Sequence, residues 1–211
     1  MKPILYYVHD PMCSWCWGFS RTLNELLTHL PQEIEVQRLL GGLAVDTDSP
    51  MPESMQEQIK RNWTQIEDTI IDVKFNFDFW ENNIPRRSTY PACRAVIAAR
   101  KQGEDYDVKM TKAIQRAYYQ EARNPSDDCA LIELAEEIGL CVYDFEKHLK
   151  SKQIQDELMQ EIHLSRELYA ESFPNLVLKT ANNIYSINPD YNDSEIMLNT
   201  IREKLQYSEN D

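Results

Sequence analysis

Two cysteines separated by two residues, Cys13-Ser14-Trp15-Cys16, are the residues of this chain best equipped for chemistry. A short apolar run, Ile4 to Val8, precedes them. A helical pattern opens on them, with Phe19, Leu23, Leu26, Leu27 and Leu30 recurring until Pro31 stops it. Cys13 is therefore expected at a helix N-terminus, where unpaired backbone N–H groups and the positive end of the helix dipole favour a thiolate. Thiols in such positions titrate at roughly 3.5–7.5 instead of about 8.5. A thiolate attacks a disulfide sulfur, and a second thiol one turn further on can close a ring with it or resolve a mixed disulfide. Cys13 is thus expected to attack and Cys16 to resolve. Zinc is the competing chemistry, but a structural zinc needs four ligands, and the sequence has no second CxxC and no HxxxH. No metal is expected.

The elements that must position this pair read as strand, helix, strand. After the helix, Glu33 to Leu40 alternates Ile34, Val36 and Leu39-Leu40 with polar residues and ends at Gly41-Gly42. Strand, helix, strand is the unit of a parallel sheet. From about residue 52 to 170 the pattern is almost wholly helical. Met55, Ile59, Trp63, Ile66 and Ile70 mark one helix. Pro91, with Ser88 or Thr89 as cap, opens an Ala-rich one, Ser126 or Asp127 caps another, and Gly139 ends it. The tail returns to strands, Leu176 to Leu178 and Ile184 to Ile187, with a final helix from about Ser194 to Leu205. The expected fold is α/β: βαβ and ββα parts of thioredoxin type around a large all-helical insertion. Residues 1–50 form the N-terminal part, 51–170 the insertion and 171–211 the C-terminal part.

Composition narrows the function. Lys and Arg number 22 against 35 Asp and Glu, a net charge of −13, which repels nucleic acid and anionic membrane surfaces. No apolar run exceeds five residues, whereas a membrane span needs about 20. Five glycines is about a third of the usual ~7% share, and neither GxGxxG nor GxxxxGK[ST] occurs, so phosphate-cradling nucleotide folds are disfavoured. No basic segment leads into an apolar stretch at the N-terminus, and the five cysteines are an odd number. Both point to a cytoplasmic protein, not to a secreted disulfide framework. Nothing in the sequence fixes an oligomeric state.

The strand followed by Asp10-Pro11-Met12-Cys13-Ser14-Trp15-Cys16-Trp17-Gly18-Phe19, the helical insertion, and Ser172-Phe173-Pro174 before a strand together resemble the DsbA-like branch of the thioredoxin superfamily, closest to its FrnE-like members. The resemblance covers essentially the whole chain. It implies a thiol–disulfide oxidoreductase in which Pro174 is a cis-proline facing the cysteines and Phe173 offers its backbone to an extended substrate. It implies no cofactor, with glutathione available as a co-substrate, and a thiol or disulfide protein as partner. Kappa-class glutathione transferases and 2-hydroxychromene-2-carboxylate isomerases are relatives. The alternative is therefore a glutathione-dependent transferase or isomerase acting on a hydrophobic small molecule; the two retained cysteines count against it.

This sequence departs from the better-known oxidoreductases in one respect: where many thioredoxins carry a buried acid, it has Tyr7. His9 and Asp10 are then the nearest titratable groups for proton transfer. By helical phase Phe19 and Trp17 belong to the core, while Trp15, between the thiols, is expected at the surface as a substrate contact. Arg86, Arg87, Ser88, Tyr90 and Arg94 are the one cationic cluster. They either hold an anion such as a glutathione carboxylate or pair with neighbouring acids. Gly41-Gly42 either lets backbone approach a ligand or turns the chain. Cys93, Cys129 and Cys141 are expected to be small buried hydrophobes.

Overall fold

A computed structural model describes residues 2–209. The chain runs Ile4–His9 (β1), Ser14–His29 (α1) and Glu35–Leu40 (β2), then through helices Glu53–Thr69 (α2), Phe79–Asn82 (α3), Tyr90–Arg100 (α4), Asp105–Tyr119 (α5), Asp128–Glu137 (α6), Val142–Leu149 (α7) and Lys152–Glu167 (α8). It closes with Asn175–Lys179 (β3), Ile184–Ile187 (β4) and Ser194–Glu209 (α9). The four strands form one sheet in the order β2-β1-β3-β4. β1 pairs in parallel with β2, Ile4 opposite Glu35, and antiparallel with β3, Ile4 opposite Lys179. β4 extends the sheet antiparallel to β3.

β1 is central and covered on both faces, which explains why its sequence is continuously apolar and aromatic. Leu5 and Tyr7 point to one face, where Phe19, Leu23 and Leu26 of α1 meet Met197, Leu198 and Ile201 of α9. Tyr6 and Val8 point to the other, against Leu39, Val177, and Leu168 and Ala170 at the end of α8. Fully burying each large apolar side chain contributes about 1.5–3 kcal/mol. The helices between β2 and β3 have their own core around Trp63, which stacks on Phe75 at 4.8 Å and meets Tyr119 edge-on at 5.6 Å.

A partly buried ionic ladder joins sheet and helices. Arg38 of β2 pairs with Asp107 of α5 at 2.6 Å; Asp107 also holds Arg100 of α4 at 2.7 Å, and Arg100 holds Glu161 of α8. Glu161 in turn accepts the Leu40 backbone N–H at 2.7 Å, closing the circuit on β2.

Two cap positions fall where expected but are filled differently. Thr89 precedes α4 and Asp127 precedes α6, yet neither side chain caps its helix. Thr89 Oγ1 donates to Asp10 at 2.6 Å, and Asp127 is held by Arg86. Ser151 is an ordinary cap, accepting from Ile154 N at 3.2 Å. Cys93 is buried as expected. Cys129 and Cys141 are exposed and correct that expectation: one lies in the first turn of α6 on a polar cleft, the other precedes α7 with its backbone held by Gln102.

Candidate active site

Cys13 is the residue immediately before α1, in extended backbone conformation, and its carbonyl accepts from Trp17 N at 3.1 Å. Its turn is closed by its own N–H, which donates to the Asp10 carbonyl at 3.0 Å. Cys13 thus stands at the N-terminal end of α1, where the first N–H groups of the helix lack intrahelical partners, and its sulfur makes no cap hydrogen bond. Cys13 Sγ donates to the Phe173 carbonyl at 3.5 Å. Cys16, one turn in, is fully buried. Burial, then the hydrogen bond and charge of Cys13, push the Cys16 thiol well above its ordinary range, while the backbone N–H of Asp10 pulls the other way. Cys16 is thus a protonated thiol at neutral pH, and the two sulfurs are chemically unequal.

The Phe173–Pro174 peptide bond is cis, and it places the Phe173 carbonyl against Cys13. Phe173 is seated on Gly41: a Cβ at Gly41 would clash with Cε1 and Cζ of the Phe173 ring. The glycine pair thus serves a close approach, but of an aromatic side chain and not of backbone to a ligand. Gly42 has φ +64° and turns the chain out of the sheet, a conformation costly for other residues.

Asp10 is a buried anchor. Its carboxylate accepts from Met12 N at 2.8 Å, Leu43 N at 2.7 Å, Thr89 Oγ1 at 2.6 Å and Cys93 Sγ at 3.5 Å. Burial raises its pKa, and these donors oppose the rise. One side chain thereby fixes the cysteine turn, the loop after β2 and the start of α4. His9 is also fully buried, stacked on Tyr7 at 4.7 Å with its Nε2 3.4 Å from Arg38. Burial first, then Arg38 and Arg100, hold its pKa well below the usual imidazole value, so His9 is neutral. Its ring faces Arg38, whereas the Tyr7 hydroxyl faces Cys16.

In front of Cys13 lies a cleft of about 380 Å³ whose walls include Met12, Trp15, Trp63, Tyr118 and Phe173. Trp15 is half-buried, edge-on to Tyr191 at 5.3 Å, and Trp17 is half-buried against Tyr119 at 5.7 Å. The arginine cluster divides. Arg86 pairs with Asp127 at 2.6 Å, and Arg94 grips both oxygens of Asp46 at 2.7 and 2.8 Å. Arg87 lines the cleft, with no hydrogen bond or ion pair to another described residue. The structure places Cys13, Trp15 and Phe173 on this cleft, with Cys16 and Pro174 outside its lining; Trp63 and Tyr118 also line it and were not singled out from the sequence as site residues. Both sit on helices of the insertion, where their spacing reads only as core.

A family model described as thioredoxin, Thioredoxin_5, matches residues 6–195. Among solved structures, a candidate protein disulfide isomerase from Nitrosomonas europaea is 27% identical, with a TM-score of 0.84 over 98% of this chain and 99% of that one. The cytosolic disulfide reductase DsbM from Pseudomonas aeruginosa shares the fold at 21% identity, TM-score 0.76, covering 97% of this chain and 99% of that one. A structure of DsbM with GSH also matches. Among curated proteins, the ClpXP adapter protein SpxH from Halalkalibacterium halodurans is 24% identical over 181 residues; the match covers 83% of this chain and 58% of the relative. The chain belongs to the thioredoxin family that this model describes.

Proposed function

We propose that the chain exchanges thiols and disulfides through a Cys13–Cys16 dithiol, with glutathione or a peptide thiol as its partner. The inequality of the two sulfurs supports this reading: Cys13 stands at the helix N-terminus beside the cleft, and Cys16 is buried and protonated behind it. The Cys13 thiolate attacks one sulfur of a substrate disulfide. The substrate S–S bond breaks and one substrate thiolate leaves. Cys16 then loses its proton and attacks Cys13 Sγ, the mixed disulfide breaks, and the second substrate thiolate leaves. The net change is substrate disulfide plus protein dithiol to substrate dithiol plus protein disulfide; oxidation of a substrate is the reverse.

Phe173 and Pro174 support an extended substrate in this proposal, the Phe173 carbonyl lying where it can accept from substrate backbone, and Trp15 supplies apolar contact. Arg87 is the group suited to a substrate carboxylate, which a guanidinium holds by paired N–H donors. The structure of DsbM with GSH supports glutathione as the small thiol. No cofactor is needed for these steps, since both electrons come from sulfur. The same exchange suits a reducing compartment, and a cytoplasmic location is part of the proposal.

The test is a glutathione redox titration with thiol trapping, read by mass spectrometry. A reversible two-electron transition confined to Cys13 and Cys16 is expected. Cys16→Ser should accumulate a mixed disulfide on Cys13, and Cys13→Ser should lose exchange by about a hundredfold or more. A stable glutathione adduct with no internal disulfide in the unmodified chain would overturn the reading in favour of the transferase or isomerase.

A further inference from the structure

Behind Cys16, on the side of α1 away from the substrate cleft, lies a second and smaller space. It is a cavity of about 30 Å³ whose lining includes Tyr7, Cys16, Thr111, Gln115, Ser20 and Lys112. Its inner wall is buried: Cys16 is 0% exposed, Tyr7 3%, Thr111 3% and Gln115 4%. Thr111 Oγ1 is buried with no hydrogen-bond partner among the described residues. Such a hydroxyl costs about 1–3 kcal/mol when nothing satisfies it. A polar cavity holds one water once its volume exceeds roughly 10–15 Å³. Ser20, Lys112 and Gln115 also line a wider groove of about 550 Å³ between α1 and α5, so the inner cavity adjoins a solvent-facing surface.

We propose that this cavity is a rear proton port for Cys16, with the Tyr7 hydroxyl as its relay and Thr111 as the positioning residue that holds a water beside them. The inference rests on the dithiol exchange proposed above and supplies the step that exchange leaves open. A substrate in mixed disulfide with Cys13 covers the front face, so the Cys16 proton must leave by another side. It passes by way of the Tyr7 hydroxyl and the cavity water toward Lys112 and solvent. The freed sulfur pair forms the bond to Cys13 Sγ. The bond from Cys13 to the substrate sulfur breaks, and its electron pair departs on the substrate thiolate, which is protonated by solvent at the front. The substrate disulfide is the oxidant and the protein dithiol the reductant. In the reverse direction the port returns the proton to Cys16.

Tyr7 suits relay, not storage. Burial and then the neighbouring Cys16 hold its phenol neutral at all ordinary pH, so it donates and accepts without ionising. Arg38 of β2 also lines the cavity, its guanidinium 5.2 Å from the centre of the Tyr7 ring; the other groups facing the Cys16 sulfur are Cys13 on α1, Asp10 after β1, Tyr119 on α5 and Tyr191 before α9. Burial keeps both of these tyrosines protonated as well. The Asp10 carboxylate is occupied by its four donors.

The experiment mixes the reduced full chain with glutathione disulfide and acid-quenches it at successive times from pH 6 to 9. Mass spectrometry then separates the Cys13–glutathione adduct from the internal disulfide. Tyr7→Phe keeps the ring packing, and Thr111→Val is isosteric and removes an unsatisfied hydroxyl. A purely structural role would leave Thr111→Val with unchanged or greater thermal stability and an unchanged rate. The proposal expects both variants to form the adduct at the normal rate and to resolve it about a hundredfold more slowly near pH 7, the deficit shrinking as pH rises. Wild-type resolution rates and pH profile in both folded variants would overturn it. If the unsubstituted chain itself never passes from adduct to internal disulfide, the dithiol reading falls and takes the port with it.

Discussion

His9 shows how burial turns a common titratable residue into a stability element. Its ring is fully buried, neutral and stacked on Tyr7. Because its folded pKa is depressed, the folded chain binds fewer protons than the unfolded chain between the ordinary value near 6.5 and the lowered one. Stability is therefore complete above about pH 6.5 and falls as pH drops through that window, by up to about 1.4 kcal/mol per pH unit. Asp10 and Glu161 carry the opposite sign: burial raises both, so the folded chain holds extra protons at lower pH and part of the loss is offset there. Urea unfolding at pH 7.5, 6.5 and 5.5 should show the decline, and His9→Gln should flatten it. A decline of equal slope in His9→Gln would place the acid sensitivity elsewhere. The sequence marked His9 and Asp10 as titratable groups beside the cysteines. It could not show that one faces Arg38 and the other is filled by donors from Leu43, Thr89 and Cys93. Those partners come from three other segments, and short-range pattern carries no trace of them.

The elements were more legible than the contacts between them. β1, α1 and β2 follow from an apolar run, a helical period and an alternation, each of which depends on near neighbours alone. Pro91 and Gly139 stand where capping chemistry puts them. What the pattern could not supply is how α4, α5 and α8 seat on the sheet, because that docking uses Arg38, Asp107, Arg100 and Glu161, charged residues that read as surface. Asp107 is the centre of this ladder, with its side chain 7% exposed and an arginine on either side. Asp107→Asn leaves two guanidinium groups without their shared carboxylate and should cost about 3 kcal/mol in denaturant unfolding. An unchanged unfolding midpoint would mean that the Asp107 ion pairs contribute nothing to holding β2 against α4 and α5.

At the scale of the whole molecule, a net charge of −13 sets the terms on which an anionic thiol approaches. Within a Debye length of about 10 Å at 0.1 M salt the net charge repels such a thiol, and Arg87 on the cleft wall is placed to attract it. The exchange rate with glutathione should therefore rise with ionic strength. Arg87→Gln should raise the KM for glutathione about tenfold, steepen that salt dependence and leave a small neutral thiol nearly unaffected; steady-state kinetics at two salt concentrations checks all three. Equal losses for the charged and the neutral thiol would remove the carboxylate clamp. The cleft itself depends on two segments far apart in the chain, Gly41 at the exit from β2 and Phe173 ahead of β3, which occupy a single volume. Inheritance at these positions is consequently linked. A descendant that acquires a bulkier residue at 41 must shrink the one at 173, and the shape of the cleft beside Cys13 drifts with the pair, so that specificity can diverge while both cysteines stay unchanged.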